Sequence, residues 1–404
     1  MTRSTAAVCS LLLVTSLFAM AVPGPVVSAQ DSNSEGYTGA HVDFAVDGNA
    51  LADVSVDGET TFDEVRVQSK SSAGLGAGVG LGAVVNVDGA GLSLAAETDT
   101  SATITAESGA ELSAHDTERG QLVIKAGGDS QVVEARLAGD ASATADGDAV
   151  VVDSGDRTGA FVVVGDGDVT VNDEGNVSAE LSGEASLVFR SYADGERDER
   201  AKAEERLIAD GSAAVELHVE ERAEGIASEA VTYSEETSTE VSTEAQNRVE
   251  VTIDRSVSEG TIVLTSVSEA AVGSFEDLSV AVDGEAAAEA SSMSELEAGA
   301  AGEEPRYMVT SQTEAKATVA VAIDHFSERT MTMSGADADG DGDDGSTGDD
   351  GTDGSSDDGN DDGSSTDDGS DGDDGAVPGG DALPGFGPIA ALLGLIGAIG
   401  ARIR

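Results

Sequence analysis

Val42-Asp43-Phe44-Ala45-Val46-Asp47-Gly48, followed by Val54-Ser55-Val56-Asp57-Gly58 with its Asp-Gly ten residues after the first, decides the fold class of this chain. Val42, Phe44 and Val46 alternate with smaller or polar residues, and so do Val54 and Val56. Period two puts the apolar residues on one face of a strand. Asp-Gly at the end of each run is a hairpin signal, because tight primed turns need positive φ where Gly and Asp tolerate it. The two runs predict strands joined by tight turns.

The same grammar extends outward. Asp-Gly recurs at Asp88-Gly89, Asp146-Gly147 and Asp283-Gly284. Further strands are expected over Ala102 to Ala106, Leu122 to Ile124, Phe161 to Val164, Leu187 to Phe189 and Val84 to Val87. Beyond residue 211 come Val215 to Val219, Val249 to Ile253, Thr261 to Thr265, Leu278 to Val282 and Val319 to Ile323, with a short helix over Ser291 to Gly299. Short strands at this spacing give an all-β class, as one or two β-sandwich or β-solenoid-like domains.

One stretch breaks the pattern. From Glu196 to Ile208 the chain is dense in Glu, Arg, Lys and Ala. Glu196 with Arg200 and Asp198 with Lys202 have the i,i+4 spacing of a solvated helix. Residues 191–211 are expected to be a short charged surface helix or connector between a β-rich region over 30–190 and a second over 212–334.

The chain carries 79 acidic and 20 basic residues in 404, a net charge of −59, with no Trp. Phosphate recognition needs Lys and Arg, so no nucleic-acid partner is expected. At ordinary ionic strength such self-repulsion opposes a compact state, whereas in molar salt the screening length falls to about 3 Å. The composition is that of a protein that works in brine and holds cations nonspecifically on its carboxylates.

The termini read as address labels. Arg3 precedes an apolar core through Leu11-Leu12-Leu13-Val14, Pro23-Gly24-Pro25 breaks it, and Val27-Ser28-Ala29 supplies small residues before Gln30. Residues 1–29 therefore read as a secretory signal peptide, cut by signal peptidase between Ala29 and Gln30. The only cysteine, Cys9, lies inside that apolar core.

Over residues 335–381 Asp, Gly and Ser dominate and large apolar side chains are missing up to Gly375, so this segment is expected to be a disordered, extended tether. Even as a neutral coil it would reach about 40 Å. Asp337 to Asp341 alternate like a calcium loop, but Gly348 falls where the bidentate Glu is required. Residues 382–404 then offer Pro384-Gly385-Phe386, an uncharged apolar segment with a single helix about 25 Å long, and Arg402 and Arg404 at the end. That helix is short for a span, and its basic end marks the cytoplasmic side.

An acidic low-complexity spacer, Pro384-Gly385-Phe386, an apolar helix and a basic end resemble the PGF-CTERM sorting signal of halophilic archaeal surface proteins, S-layer glycoproteins among them. The resemblance covers roughly Leu383 to Arg404. It implies recognition by an archaeosortase, removal of the apolar tail and attachment of a prenyl-type lipid near the tripeptide, as GPI signals do by other chemistry. It implies a lipoprotein at the cell surface and leaves the body's activity open.

Chemistry-bearing motifs are sparse. Gly78-Val79-Gly80-Leu81-Gly82-Ala83 fits the bare dinucleotide pattern, but apolar Val84-Val85-Asn86-Val87 follows where a helix is required. No nucleophile elbow, Walker loop or His-Glu-x-x-His occurs, and His41, His115, His218 and His325 are scattered. The residues point to no catalytic group, cofactor or metal site. Asn176-Val177-Ser178 is the single sequon, a candidate glycan site on a surface turn. The expected function is an exported, membrane-held surface protein in the envelope or in adhesion. The alternative is a tethered hydrolase or solute-binding protein without a recognisable motif.

Overall fold

A computed structural model describes residues 35–74, 80–223, 225–234, 236–242, 247–302, 304–325 and 328–335, all within one compact unit. The expected cleavage site at Ala29 and Gln30, the tether, Pro384, Gly385, Phe386, Arg402 and Arg404 lie outside the described residues. The described residues are all-β, 58% strand and 9% helix.

Four sheets account for the strands among the described residues. The first runs, edge to edge, Glu35–Thr38, Val42–Asp47, Ala50–Val56, Glu59–Ser69, Gln131–Leu137, Val177–Leu181, Gly167–Val171. The second runs Ser142–Asp146, Ala149–Asp153, Arg157–Val164, Ser186–Ala193, Gln121–Lys125, Glu111–His115, Ser101–Ala106, Leu92–Glu97. In the third are Gly225–Thr232, Ala213–Arg222, Glu259–Ser268, Lys316–His325, Arg306–Gln312 and Ala288–Glu289. The fourth holds Thr237–Ser242, Arg248–Arg255, Glu328–Ser334, Ser279–Val282 and Glu285–Ala286. Pairing is antiparallel except between Ala213–Arg222 and Glu259–Ser268 and between Ala288–Glu289 and Arg306–Gln312.

The turns follow the residues. Asp57 and Gly58 have φ of 51° and 79°, and Asp283 and Gly284 have 52° and 81°, so both hairpins close with the doubly positive type I′ geometry. Two other turns sit one residue later than expected. Asp47 pairs with Ala50 and Asp146 with Ala149, leaving Gly48-Asn49 and Gly147-Asp148 as loops. There glycine takes the first central position, the only one needing positive φ, as in type II′.

Asp88-Gly89 closes no hairpin, and Val84 to Val87 form no strand. Leu81–Ala83 is a 3-10 turn, and residues 84–91 run without a ladder. Side chains take the ladder's place: Asn172 and Ser178 donate to the Val84 carbonyl, Arg66 to that of Val87, and Glu134 accepts from Val87 N–H. Val84 and Val87 are thereby seated on Val132 in a small core of their own.

Three larger cores follow the sheets. Between the first and second, Phe62, Phe161 and Phe189 pack with ring centroids 4.9 to 5.4 Å apart. Between the third and fourth lie Leu217, Val219, Val251, Val263, Val319 and Met331. The remaining core joins the halves. Val123, Val162 and Val188 of the second sheet share it with Ile262, Leu264, Ala320 and Ala322 of the third. Phe161 faces one core and Val162 the next, as does Phe189 against Val188, so these strands are buried on both faces.

The charged stretch becomes α1, Glu199–Ala209, and its surroundings correct the expectation of a solvated surface helix. Asp198 caps it by accepting from Arg200 and Ala201 N–H. Neither expected i,i+4 pair forms: Asp198 is the cap, and Lys202 pairs with Glu199. Leu207 and Ile208 enter the joining core, and Glu204 and Glu205 are only 4% exposed. Two short helices follow, α2 over Glu269–Val272 and α3 over Met293–Ala300, the second where a helix is expected, with Leu296 in the joining core.

Candidate functional site: a buried ionic seam between the sheets

Beside the apolar joining core, the second and third sheets meet through charge. At its centre is Arg190, fully buried on Ser186–Ala193. Its guanidinium reaches Glu204 Oε2 at 3.0 Å, Glu216 Oε1 at 2.9 Å and Tyr192 Oη at 2.8 Å. Arg119, from the loop after Glu111–His115, grips the same two carboxylates at 2.8 and 3.3 Å. Both guanidiniums lie over the Tyr192 ring, 5.4 and 5.5 Å from its centre. Tyr233 donates its hydroxyl to Glu216.

Two arginines facing two glutamates make the cluster electrically balanced, which is how ions persist without water. Burial works to raise the carboxyl of Glu216, but Arg190 and Arg119 outweigh it and hold it well below the usual range. Burial and the neighbouring Glu216 carboxylate push the Tyr233 phenol well above its ordinary value.

The network continues from there. His218 Nε2 lies 2.7 Å from the Gln121 amide nitrogen and 3.3 Å from Glu216. Its Nδ1 is buried without a hydrogen-bond partner, 3.9 Å from Glu220 Oε1. His41 stands between Glu220 at 3.6 Å and Asp57 at 2.8 Å. Its hydrogen bond to Glu220, opposed by burial and reinforced by Asp57, raises the imidazole to about 9. His115 Nδ1 is 2.6 Å from Glu229 across the same seam.

Residues 116–120 are the keystone. Asp116, fully buried, accepts from the backbone N–H of Ala40, His41 and Val42 and from Arg222 at 3.0 Å. The Glu118 carbonyl accepts from Arg157, which also reaches Asp57 and Ser191. The Arg119 carbonyl accepts from Ser191 N–H. Gly120 has φ of +47°, and a Cβ there would meet Val56 side-chain atoms at 2.5 Å.

Three histidines that look scattered in sequence are thus gathered at one seam, while His325 is exposed at a strand end beside Asp324. No sequence motif marks the seam. Its signals are charged residues inside apolar strand runs, namely Arg190 after Leu187-Val188-Phe189 and Glu216 and His218 within Val215 to Val219.

Asn176 is half-buried after an exposed turn, its Oδ1 accepting from Leu137 N–H, and Ser178 of the sequon is fully buried with its hydroxyl on the Val84 carbonyl. Among the described residues no group of three His, Cys, Asp or Glu has metal-holding geometry. No helix among them is long and apolar enough to cross a membrane. No protein-family model and no curated protein matches the chain.

Proposed function

We propose that this chain is an exported surface protein whose acidic β body stands outside the membrane, held by a processed C-terminal sorting signal, and serves the cell envelope or adhesion. We read the paired sheets as two β-sandwiches packed face to face, a reading supported by their antiparallel ladders and shared cores.

The observation that carries the proposal is the partition of charge. Arg119, Arg190 and Arg222, with His41 and His218, are committed to fastening one half of the body to the other, and the acids dominate outside. A body so fastened behaves as one stiff unit, the property wanted of an element that displays or bears load. The leader ending at Ala29, the acidic spacer and Pro384-Gly385-Phe386 supply the route and the anchor.

The test is where and in what form the native protein is found. The expectation is membrane-fraction protein, labelled on intact cells by an impermeant reagent, beginning at Gln30 and ending near Phe386 with an attached lipid. Recovery from cytosol with both ends intact overturns the proposal.

A further inference from the structure

The keystone loop holds a juxtaposition that the seam's ion pairs do not use. Thr117 within it and Gln121 just after it are both fully buried, and the Thr117 hydroxyl donates to the side-chain carbonyl of Gln121. On the other side of that amide, 2.7 Å from its nitrogen, is Nε2 of His218, itself 1% exposed. Glu216 lies 3.3 Å from the same ring nitrogen, and Glu220 lies 3.9 Å from the unpartnered Nδ1. Hydroxyl, amide, imidazole and carboxylate therefore stand in line, away from bulk water.

These are the groups used in acyl transfer, with the imidazole here on the leaving nitrogen and the hydroxyl on the carbonyl oxygen, and carboxylates beside the imidazole. Here every member belongs to the chain. We propose that Thr117 and Gln121 join in an intramolecular ester, with His218 as the catalytic residue. The Thr117 Oγ1 to Gln121 Cδ bond forms and the Cδ to Nε2 bond breaks. The hydroxyl proton passes to the Gln121 carbonyl oxygen that it faces and, as the carbonyl re-forms, to the departing nitrogen held against His218 Nε2, and one ammonia leaves. Nothing is oxidised or reduced, and no co-reactant is required. Exclusion of water then protects the ester from hydrolysis.

The link has a structural use. The sequence contains a single cysteine, so no disulfide within the chain can tie this loop. The ester spans Glu118, Arg119 and Gly120. It fixes the Glu118 and Arg119 carbonyls that hold Arg157 and Ser191, and the guanidinium that holds Glu204 and Glu216.

Trypsin supplies a direct test, because it cuts the folded loop's sequence between Arg119 and Gly120. The full-length protein is purified in molar salt, denatured near neutral pH, digested and examined by tandem mass spectrometry. The expected product is the segment 71–119 still joined to 120–125, lighter than the two free peptides by one ammonia and separated by hydroxylamine. Free peptides, with residue 121 either as Gln or converted to Glu, overturn the proposal. Thr117→Val removes the nucleophile and His218→Gln the catalyst; each is expected to lose the joined product while leaving the Gln121 amide intact. A joined product that persists in His218→Gln overturns the role of the imidazole.

Discussion

Replacing Arg190 by Met keeps most of the side chain's volume and removes its charge from the middle of the seam. In the wild type, Glu204 and Glu216 share Arg190 and Arg119, two negative groups against two positive. After the substitution they share Arg119 alone, and Tyr192 loses the guanidinium at 2.8 Å. Both carboxylates are at most 5% exposed, so water cannot take over the missing role. Removing one partner of a buried ion pair leaves an uncompensated charge and costs about 3–5 kcal/mol. Adding Glu216→Gln to Arg190→Met restores the balance of one positive and one negative group, and the double variant should recover more than half of the loss. The assay is urea unfolding at constant molar NaCl, comparing midpoints at unchanged slope. Burial shields the cluster from counter-ions, so the loss should persist when salt is varied within the range where the protein stays folded. A cost under about 1 kcal/mol for Arg190→Met, or a double variant weaker than the single one, would refute the balanced-cluster reasoning.

Two further outcomes follow. Dilution from molar to millimolar salt should unfold the body, read as loss of the β signal in circular dichroism, because the screening length grows from about 3 Å to beyond 10 Å while the surface acids have few cations beside them; an unchanged spectrum argues against it. His41 should make stability depend on alkaline pH. Its folded value of about 9 lies above the ordinary 6.5, so its contribution is full below 6.5 and is lost as pH rises through 9. The imidazole is partly exposed, so screening reduces the effect to about 1 kcal/mol; urea midpoints at pH 7 and pH 10 should differ in the wild type and differ less in His41→Gln.

Most of the strand positions could be read from residues, because period two and Asp-Gly turns are local signals. The strands from Val42 to Val56 and the turns at Asp57-Gly58 and Asp283-Gly284 behave as their local sequence dictates. The failures have specific causes. Val84 to Val87 looks like a strand by composition, but its backbone is satisfied by Asn172, Ser178, Arg66 and Glu134, residues that only the fold brings near. The helix Glu199–Ala209 looks solvated by composition because its partners, Arg190 and Arg119, come from strand and loop distant in sequence. One clue was present and local. Phe161-Val162-Val163-Val164, Leu187-Val188-Phe189 and Ile262-Val263-Leu264 are continuous apolar runs rather than alternating ones, the mark of strands covered on both faces.

That clue also accounts for why the ionic seam exists. A strand covered on both faces must bury every side chain it carries, so Arg190 on the second sheet has no route to solvent, and Glu216 and His218 on the third have none either. A lone ion there would be prohibitive, and each is tolerated only where the facing sheet supplies its opposite. Register is therefore specified twice, by the fit of Val188 and Leu264 in the apolar part and by the pairing of Arg190 with Glu216 in the polar part. Sliding the third sheet by one residue would turn Glu216 toward the other core and leave Arg190 without its closest carboxylate. An apolar joining surface of the same area would attract equally well in several offsets. The buried ions exclude those offsets, which is what a body with so large a net charge and so few aromatic anchors needs in order to settle on one arrangement.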